Sequence, residues 1–83
     1  MNREAEILTI LQEECAEVIQ AISKMKRFGS DNNREDFTQE LADLLHMIKL
    51  CYEFGVVTED FKEMEKRMKK KEEKLKKFSK IYE

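Results

Sequence analysis

The chain contains no proline and only two glycines, Gly29 and Gly55, in 83 residues. Proline and glycine are the residues that most often interrupt a helix, so long segments without them can stay helical throughout. Runs of β-branched residues, which would favour strands, are few. The positions of the two glycines therefore predict an all-α chain with one helix before, one between and one after them.

Turn-forming and capping residues indicate where each helix begins and ends. Asn32 or Asn33 is expected near the N-cap of the second helix, with Glu35 and Asp36 in its first turn. Thr58 is expected to open the third helix. The predicted elements are helices over about residues 3–27, 35–53 and 58–80, with a polar loop over 30–33.

Composition indicates a single small globular domain over residues 1–83. Hydrophobic and charged residues each make up 41% of the chain, which is too apolar for disorder and unusually charged for a globular domain. A chain of this size buries a modest core and is often stabilised by association with further copies. We therefore expect a helical hairpin plus a long third helix, assembling into a four-helix-bundle oligomer.

The net charge of −2 conceals a strong asymmetry along the chain. Residues 1–61 carry a net charge of −7, whereas residues 62–80 carry +6. The acidic and basic parts can complement each other, or can together bind a polyanion and a metal ion.

The third helix has an apolar stripe with the alternating three- and four-residue spacing of a heptad pattern. Lys71 occupies a position within this stripe, which places an ammonium group toward whatever the stripe faces. The stripe consists of Phe61, Met64, Met68, Lys71, Leu75, Phe78 and Tyr82.

Two carboxylates lie within the apolar stripe of the first helix. At 3.6 residues per turn, Ile7, Ile10 and Val18 all fall within about 60° of Glu14, as does Glu17. Glu13 falls at the edge of the stripe. The second helix repeats this arrangement with Glu40 and Asp43, which share a face with Phe37, Leu44, Met47 and Cys51.

Four inward carboxylates cannot remain ionised in an apolar interior unless protons or cations compensate them. Clustered oxygens suit a hard divalent cation such as Mg²⁺ or Mn²⁺ better than zinc, which prefers Cys and His. The alternative is that the pairs lie at a solvated edge and bond Lys24, Lys71 or Arg27. His46 follows Asp43 by three residues, as in di-iron bundles, but its predicted position lies off the inner face.

Cys15 and Cys51 are expected to be buried free thiols in a reducing cytosol, because their spacing matches no metal or redox motif. The sequence shows no signal peptide, transmembrane run or lipidation motif. We expect a soluble cytoplasmic protein.

The order Glu13-Glu14-x-x-Glu17, a spacer of 22 residues, then Glu40-x-x-Asp43 resembles the EExxE…ExxD signature of the all-α nucleoside triphosphate pyrophosphohydrolases. This superfamily includes MazG-like proteins, dimeric dUTPases, dCTP pyrophosphatases and phosphoribosyl-ATP pyrophosphatases. The flanking segments EECAEVIQAISKMKRFG, ELADLLHMI and KKKEEKLKKF are most similar to short single-domain MazG-like proteins, including phage-encoded ones.

The resemblance implies Mg²⁺-dependent hydrolysis of a nucleoside triphosphate, expected to be a deoxynucleotide, at the α–β bond to a monophosphate and pyrophosphate, with Mn²⁺ as a possible substitute for Mg²⁺. It implies metal ligands at Glu14, Glu17, Glu40 and Asp43, with Glu13 binding a second metal ion or assisting the attacking water. The triphosphate would be bound by basic side chains at Lys24, Arg27, Lys71 and Lys74.

Many members of this superfamily carry a fourth helix, so a three-helix chain is expected to enclose its nucleotide as a homodimer or homotetramer. Phe28, Asn32, Asn33 and Tyr82 are candidates for contacts with the base.

A non-enzymatic helical interaction module that uses the basic third helix is the main alternative. Nucleic-acid binding is disfavoured because glutamates interrupt the basic helix and no aromatic platform accompanies it. A redox di-metal bundle is a further alternative. No membrane partner is expected.

Overall fold

The computed structural model describes all 83 residues and contains three α-helices and no strand. Helix α1 spans Arg3–Phe28, α2 spans Ser30–Glu53 and α3 spans Phe61–Phe78. The predicted all-α class and the number of helices are therefore confirmed. None of the three helices combines the length and the apolar character that crossing a membrane would require.

The prediction of a polar loop over residues 30–33 is wrong, because α2 begins at Ser30 directly after Gly29. The N-cap of α2 is Gly29 and neither Asn32 nor Asn33. The Asn33 side-chain amide instead donates to the Gly29 carbonyl oxygen at 2.9 Å, one turn back along the helix. Ser, Asp and Asn are favoured in loops and also near helix N-termini, so composition alone did not separate the two states.

Gly29 connects α1 to α2 as a single residue. Its φ of 100° and ψ of 141° lie in a region that side chains rarely adopt, and its N–H donates to the Met25 carbonyl at 3.0 Å. Glycine allows the chain to end one helix and begin the next, reversed in direction, without an intervening loop.

We expect Gly29→Ala to lower the free energy of unfolding by about 1–3 kcal/mol, because the added methyl group disfavours this backbone conformation. Apart from Gly29 itself and its two chain neighbours, no heavy atom lies within 4 Å of the position that a Cβ atom would take, so the cost comes from the backbone conformation alone. Chemical denaturation measures it, with Ser30→Ala as the neighbouring control. Equal stability of the two variants would show that the turn tolerates a side chain.

The third helix begins three residues later than predicted. The Asp60 carboxylate accepts a hydrogen bond from the Glu63 backbone N–H at 2.9 Å and caps the helix, so α3 starts at Phe61 and not at Thr58. The helix ends at Phe78, which leaves Tyr82 beyond it. The heptad stripe is therefore helical only as far as Phe78.

Helices α1 and α2 form an antiparallel hairpin whose core lies near its open end. Ile7 from the start of α1 packs with Met47 and Cys51 from the end of α2, and Val56 and Val57 close this cluster. The only buried residues are Ile7, Met47, Cys51 and Ala21, 4 of 83, and the two valines are half-buried. So small a core makes association with another surface the expected source of further stability.

The two cysteines are both free, but only one is buried. Cys51 belongs to the core, as predicted, whereas Cys15 is exposed, which corrects the expectation that both thiols are buried. Cys15 lies beside the inward stripe of α1 and not within it, because it is about 100° round the helix from Glu14.

An exposed apolar surface covers one side of the hairpin, and we call it the apolar face. On α1 these side chains lie about 80–140° round the helix from Glu14, and on α2 they lie at the same angles, in the same rotational sense, from Glu40. When two antiparallel helices are related by a two-fold axis between them, side chains at the same angle on each helix lie on the same side of the pair. The apolar face consists of Leu8, Ile19 and Ile22 of α1 and Leu41, Leu45 and Ile48 of α2.

Helix α3 projects away from the hairpin and does not pack along either of its helices. The molecule measures 39 × 31 × 15 Å, and because a two-helix hairpin alone is long in only one direction, α3 accounts for the second long dimension. Its start is fixed by the ring of Phe61, which meets Tyr52 edge to face at 5.8 Å, and by an ion pair between Arg67 and Glu59.

Candidate functional site

Three carboxylates converge at the centre of the hairpin. Glu14 projects from α1, and Glu40 and Asp43 project from α2 one turn apart. One oxygen from each lies within 4.8 Å of the others, and all three residues are half-buried. The antiparallel pairing of the helices thus brings together carboxylates from two segments that are 26 positions apart in sequence.

The other two acidic residues of the signature lie outside this trio. Glu17 is exposed, although it lines the same pocket as Glu40 and its charge acts on Glu40. Glu13 is exposed on the outer edge of α1. Both lie on the rim because each is rotated away from the line along which α1 meets α2.

The carboxylates repel one another. The pKa of Glu40 is raised above its usual value first by burial, then by the negative charges of Glu17, Asp43, Glu14 and Asp36. The Gln39 side-chain amide donates to Asp43 Oδ1 at 2.9 Å, a neutral bond that leaves the charge uncompensated. Half-buried carboxylate oxygens with no paired cation suit a hard divalent ion.

We expect Glu40→Gln to stabilise the metal-free protein at neutral pH, because it removes a carboxylate whose ionised form is disfavoured in the fold. Because the pKa of Glu40 is raised in the folded state, the ionised side chain destabilises the fold fully only above the folded pKa. This cost vanishes below the unfolded value of 4.5. The advantage of the variant should therefore disappear as the pH falls through this window. Thermal unfolding in EDTA measures it.

A loss of metal-free stability in Glu40→Gln at neutral pH would contradict this reading. Such a loss would show that Glu40 is a structural partner of a cation. Glu35→Gln, at an exposed position of the same helix, is the control and should show no comparable change.

A polar pocket of about 210 Å³ adjoins the trio on the side of the α1–α2 turn. Lys24 and Asn33, both of them candidates from the sequence, line it. Gln20 and Asp36 were missed by the sequence reasoning, although each lies one turn from a motif glutamate and this spacing could have identified them. The lining residues are Glu17, Gln20, Ala21, Lys24, Asn33, Asp36 and Glu40.

Lys24 is the one basic residue that lines this pocket. The guanidinium of Arg27 stacks on the Phe28 ring at 5.3 Å, near the end of the hairpin. Lys71 and Lys74 are exposed on α3, and no ion pair joins α3 to the trio. Within a single chain, the structure thus brings only one of the four predicted phosphate-binding residues to the pocket beside the carboxylates.

The remaining candidates are dispersed. His46 is exposed and borders a different pocket with Arg3 and Glu6 near the open end of the hairpin. Asn32, Phe28 and Tyr82 are all exposed, and Tyr82 borders a pocket along α3 with Met68 and Lys71.

The chain matches the phosphoribosyl-ATP pyrophosphohydrolase family over residues 1–72, which include α1, α2 and the first two thirds of α3. Neither curated protein sequences nor solved structures gave a significant match. The matched range contains both acidic motifs and the whole carboxylate trio. Phosphoribosyl-ATP pyrophosphatases are among the MazG-like all-α enzymes that the sequence resembles, so that resemblance is confirmed. The chain belongs to the phosphoribosyl-ATP pyrophosphohydrolase family.

Proposed function

We propose that the protein is a Mg²⁺-dependent pyrophosphohydrolase that cleaves nucleoside triphosphates, deoxynucleotides among them, between the α and β phosphates. The products are a nucleoside monophosphate and pyrophosphate. Family membership supports nucleotide pyrophosphohydrolase activity in general. The observation that carries the more specific proposal is the convergence of Glu14, Glu40 and Asp43 within 4.8 Å without a paired cation.

The metal would be held by Glu14, Glu40 and Asp43, with Glu17 as a further ligand from the rim of the site. Carboxylate oxygens without Cys or His favour Mg²⁺, with Mn²⁺ as a substitute. When bound, the ion supplies Lewis acidity at the phosphoryl oxygens, lowers the pKa of bound water and offsets the repulsion between carboxylates and triphosphate.

The chain's own side chains supply orientation and charge. Glu13 lies exposed at the outer edge of the site, where it can orient the attacking water or accept its proton. Lys24 lines the adjoining pocket and can donate to phosphate oxygens as negative charge moves to the leaving pyrophosphate. Arg27, Lys71 and Lys74 are proposed to bind the same phosphates from further away in the chain.

Association of two or more copies through the apolar face completes the proposal. The six exposed side chains of this face would form the centre of a four-helix bundle made from two hairpins. A homodimer is the smallest such assembly, and a homotetramer would contain two. The cytoplasm, where nucleotide pools reside, is the proposed location.

A non-enzymatic interaction module is the second candidate, and the exposed stripe of α3 favours it. Phe61, Met68 and Phe78 all remain largely exposed, as expected for a helix that docks on a partner. This candidate requires that the carboxylates can be neutralised without loss of function, whereas the pyrophosphohydrolase requires them charged.

The deciding experiment measures pyrophosphate release from a panel of canonical and modified ribo- and deoxynucleoside triphosphates, with Mg²⁺ and with EDTA. We expect Mg²⁺-dependent pyrophosphate in a one-to-one ratio with the matching monophosphate. Release of inorganic phosphate with a diphosphate would place cleavage at another bond and overturn the proposal. A folded protein that releases nothing from the panel would favour the interaction module.

A further inference from the structure

A single hydrogen bond within the protein reaches the carboxylate trio. The Gln39 side-chain amide donates it to Asp43 Oδ1 at 2.9 Å, from one turn earlier on α2. The carboxylates of Glu14 and Glu40 accept no hydrogen bond, and no salt bridge involves any member of the trio. Asp43 is therefore the one member of the trio whose orientation a neighbouring polar group restrains.

The sequence around the trio offers few other donors. On a helix, side chains three or four positions apart are neighbours. The positions at this spacing from a trio residue are all apolar or acidic, except for Gln39 and His46. His46 is exposed, borders a different pocket and forms no hydrogen bond with Asp43. Gln39 is thus the one neighbour along either helix that donates to a carboxylate of the trio.

The bond between Gln39 and Asp43 contributes little to the fold itself. Gln39 is exposed and Asp43 is half-buried, so water can replace either partner of the bond. A glutamine–aspartate pair at this spacing stabilises a helix only slightly. Alanine at position 39 would lose the bond but has a higher helix propensity than glutamine. Any effect of Gln39 on the carboxylates can therefore be separated from its effect on folding.

The donor is a neutral amide, and this matters for a metal centre. A lysine or arginine at position 39 would pair with Asp43 and offset the negative charge that attracts a divalent ion. The amide restrains the same carboxylate without adding positive charge. It bonds Oδ1 and leaves Asp43 Oδ2 without a partner in the protein. The arrangement thus fixes an acceptor group while keeping its affinity for a cation.

We propose that Gln39 is a positioning residue for the metal centre, whose amide holds the Asp43 carboxylate in the orientation that converges with Glu14 and Glu40. Hydrogen bonds to carboxylates that bind a metal orient these ligands, and a restrained ligand loses less conformational freedom when the ion binds. Gln39 acts through Asp43 and touches neither metal nor substrate. The proposal rests on the proposed function for the identity of the ion.

The first test compares the Mn²⁺ affinities of two glutamine variants by electron paramagnetic resonance. Gln39→Ala should raise the dissociation constant for Mn²⁺ by about ten-fold. Gln12→Ala is the matched control, because Gln12 is exposed on α1 about 160° round the helix from Glu14. It should change the dissociation constant by less than about two-fold. Equal Mn²⁺ affinity in Gln39→Ala and the wild type would overturn the proposal.

A double-mutant cycle tests whether the effect passes through Asp43. Asp43→Ala removes the acceptor, so adding Gln39→Ala to this variant should change Mn²⁺ affinity by less than about two-fold. Glu40→Gln leaves the acceptor in place, and Gln39→Ala should weaken binding by about ten-fold in that background as well. A ten-fold loss in the Asp43→Ala background would show that Gln39 acts on the site by another route and would overturn the proposal.

Two further readouts separate positioning from folding and from the reaction. Thermal unfolding in EDTA should be the same for Gln39→Ala and the wild type, and a clear loss of stability would overturn the proposal by showing that the bond is structural. In the pyrophosphate assay, Gln39→Ala should need about ten-fold more Mg²⁺ for its half-maximal rate. A wild type that releases no pyrophosphate would overturn the proposed reaction while the Mn²⁺ comparison still decides the role of Gln39. A wild type that binds no Mn²⁺ would overturn both.

Discussion

Glu40→Gln is expected to lower kcat/KM for pyrophosphate release by about a thousand-fold or more, because it removes one charged carboxylate of the trio that we propose binds the metal ion. The substitution keeps the size of the side chain and one oxygen, so the helices should pack as before. The loss should exceed what added Mg²⁺ can restore. Steady-state kinetics over a range of Mg²⁺ concentrations measure both quantities.

One control variant and one further variant of the trio test this expectation. Glu35→Gln removes the same charge from an exposed position of the same helix and should change kcat/KM by less than about two-fold. Asp43→Asn removes a second member of the trio and should resemble Glu40→Gln. Wild-type activity in Glu40→Gln, with metal and substrate unchanged, would exclude the trio as the metal centre of the reaction.

Leu45→Glu is expected to raise the dissociation constant of the oligomer by about a hundred-fold or more. Leu45 is 58% exposed in the single chain, so its replacement should change the fold of one copy little. In the proposed bundle the same position is buried, and a glutamate there would lose its hydration without gaining a partner. Analytical ultracentrifugation over a range of protein concentrations measures the shift.

Ala42→Glu is the matched control for this change. Ala42 is exposed on α2, about 60° round the helix beyond Leu45 and thus outside the edge of the apolar face, and the substitution adds the same charge three residues from Leu45. It should leave the dissociation constant unchanged within about two-fold. Equal weakening by both substitutions would show that added charge, and not the apolar face, controls association.

The number and order of the helices could be predicted from the sequence because glycine acts locally. Gly29 and Gly55 both have positive φ, and each lies at or just past the end of a helix. The start of α2 could not be predicted in the same way. The segment from Ser30 to Asn33 has the composition of a loop, but its polar groups also serve the first turn of a helix.

Helical periodicity predicted that Glu14, Glu40 and Asp43 face inward, but it did not predict that Glu17 is exposed. Glu14, Glu40 and Asp43 lie where the period of 3.6 residues places them, whereas Glu17, on the same predicted stripe, is exposed. The difference depends on how each helix is rotated about its axis when the two pack, and a single sequence does not specify this rotation. The direct roles of these carboxylates in metal binding stay predictions.

The position of α3 relative to the hairpin could not be predicted from the sequence. Its heptad stripe indicates that one side of the helix is apolar, and the exposed Phe61 and Met68 agree with this. The stripe does not say whether the surface that covers it belongs to the same chain or to another. That choice depends on the direction in which the chain leaves α2, which only the three-dimensional structure gives.

Mn²⁺ binding followed by electron paramagnetic resonance tests the central claim, that Glu14, Glu40 and Asp43 form one divalent metal centre. We expect wild-type protein to bind Mn²⁺, Mg²⁺ to displace it, and both Glu40→Gln and Asp43→Asn to weaken the binding at least about ten-fold while Glu35→Gln does not. Equal Mn²⁺ affinity in the wild type and the two trio variants would contradict the claim and would place any metal elsewhere in the molecule.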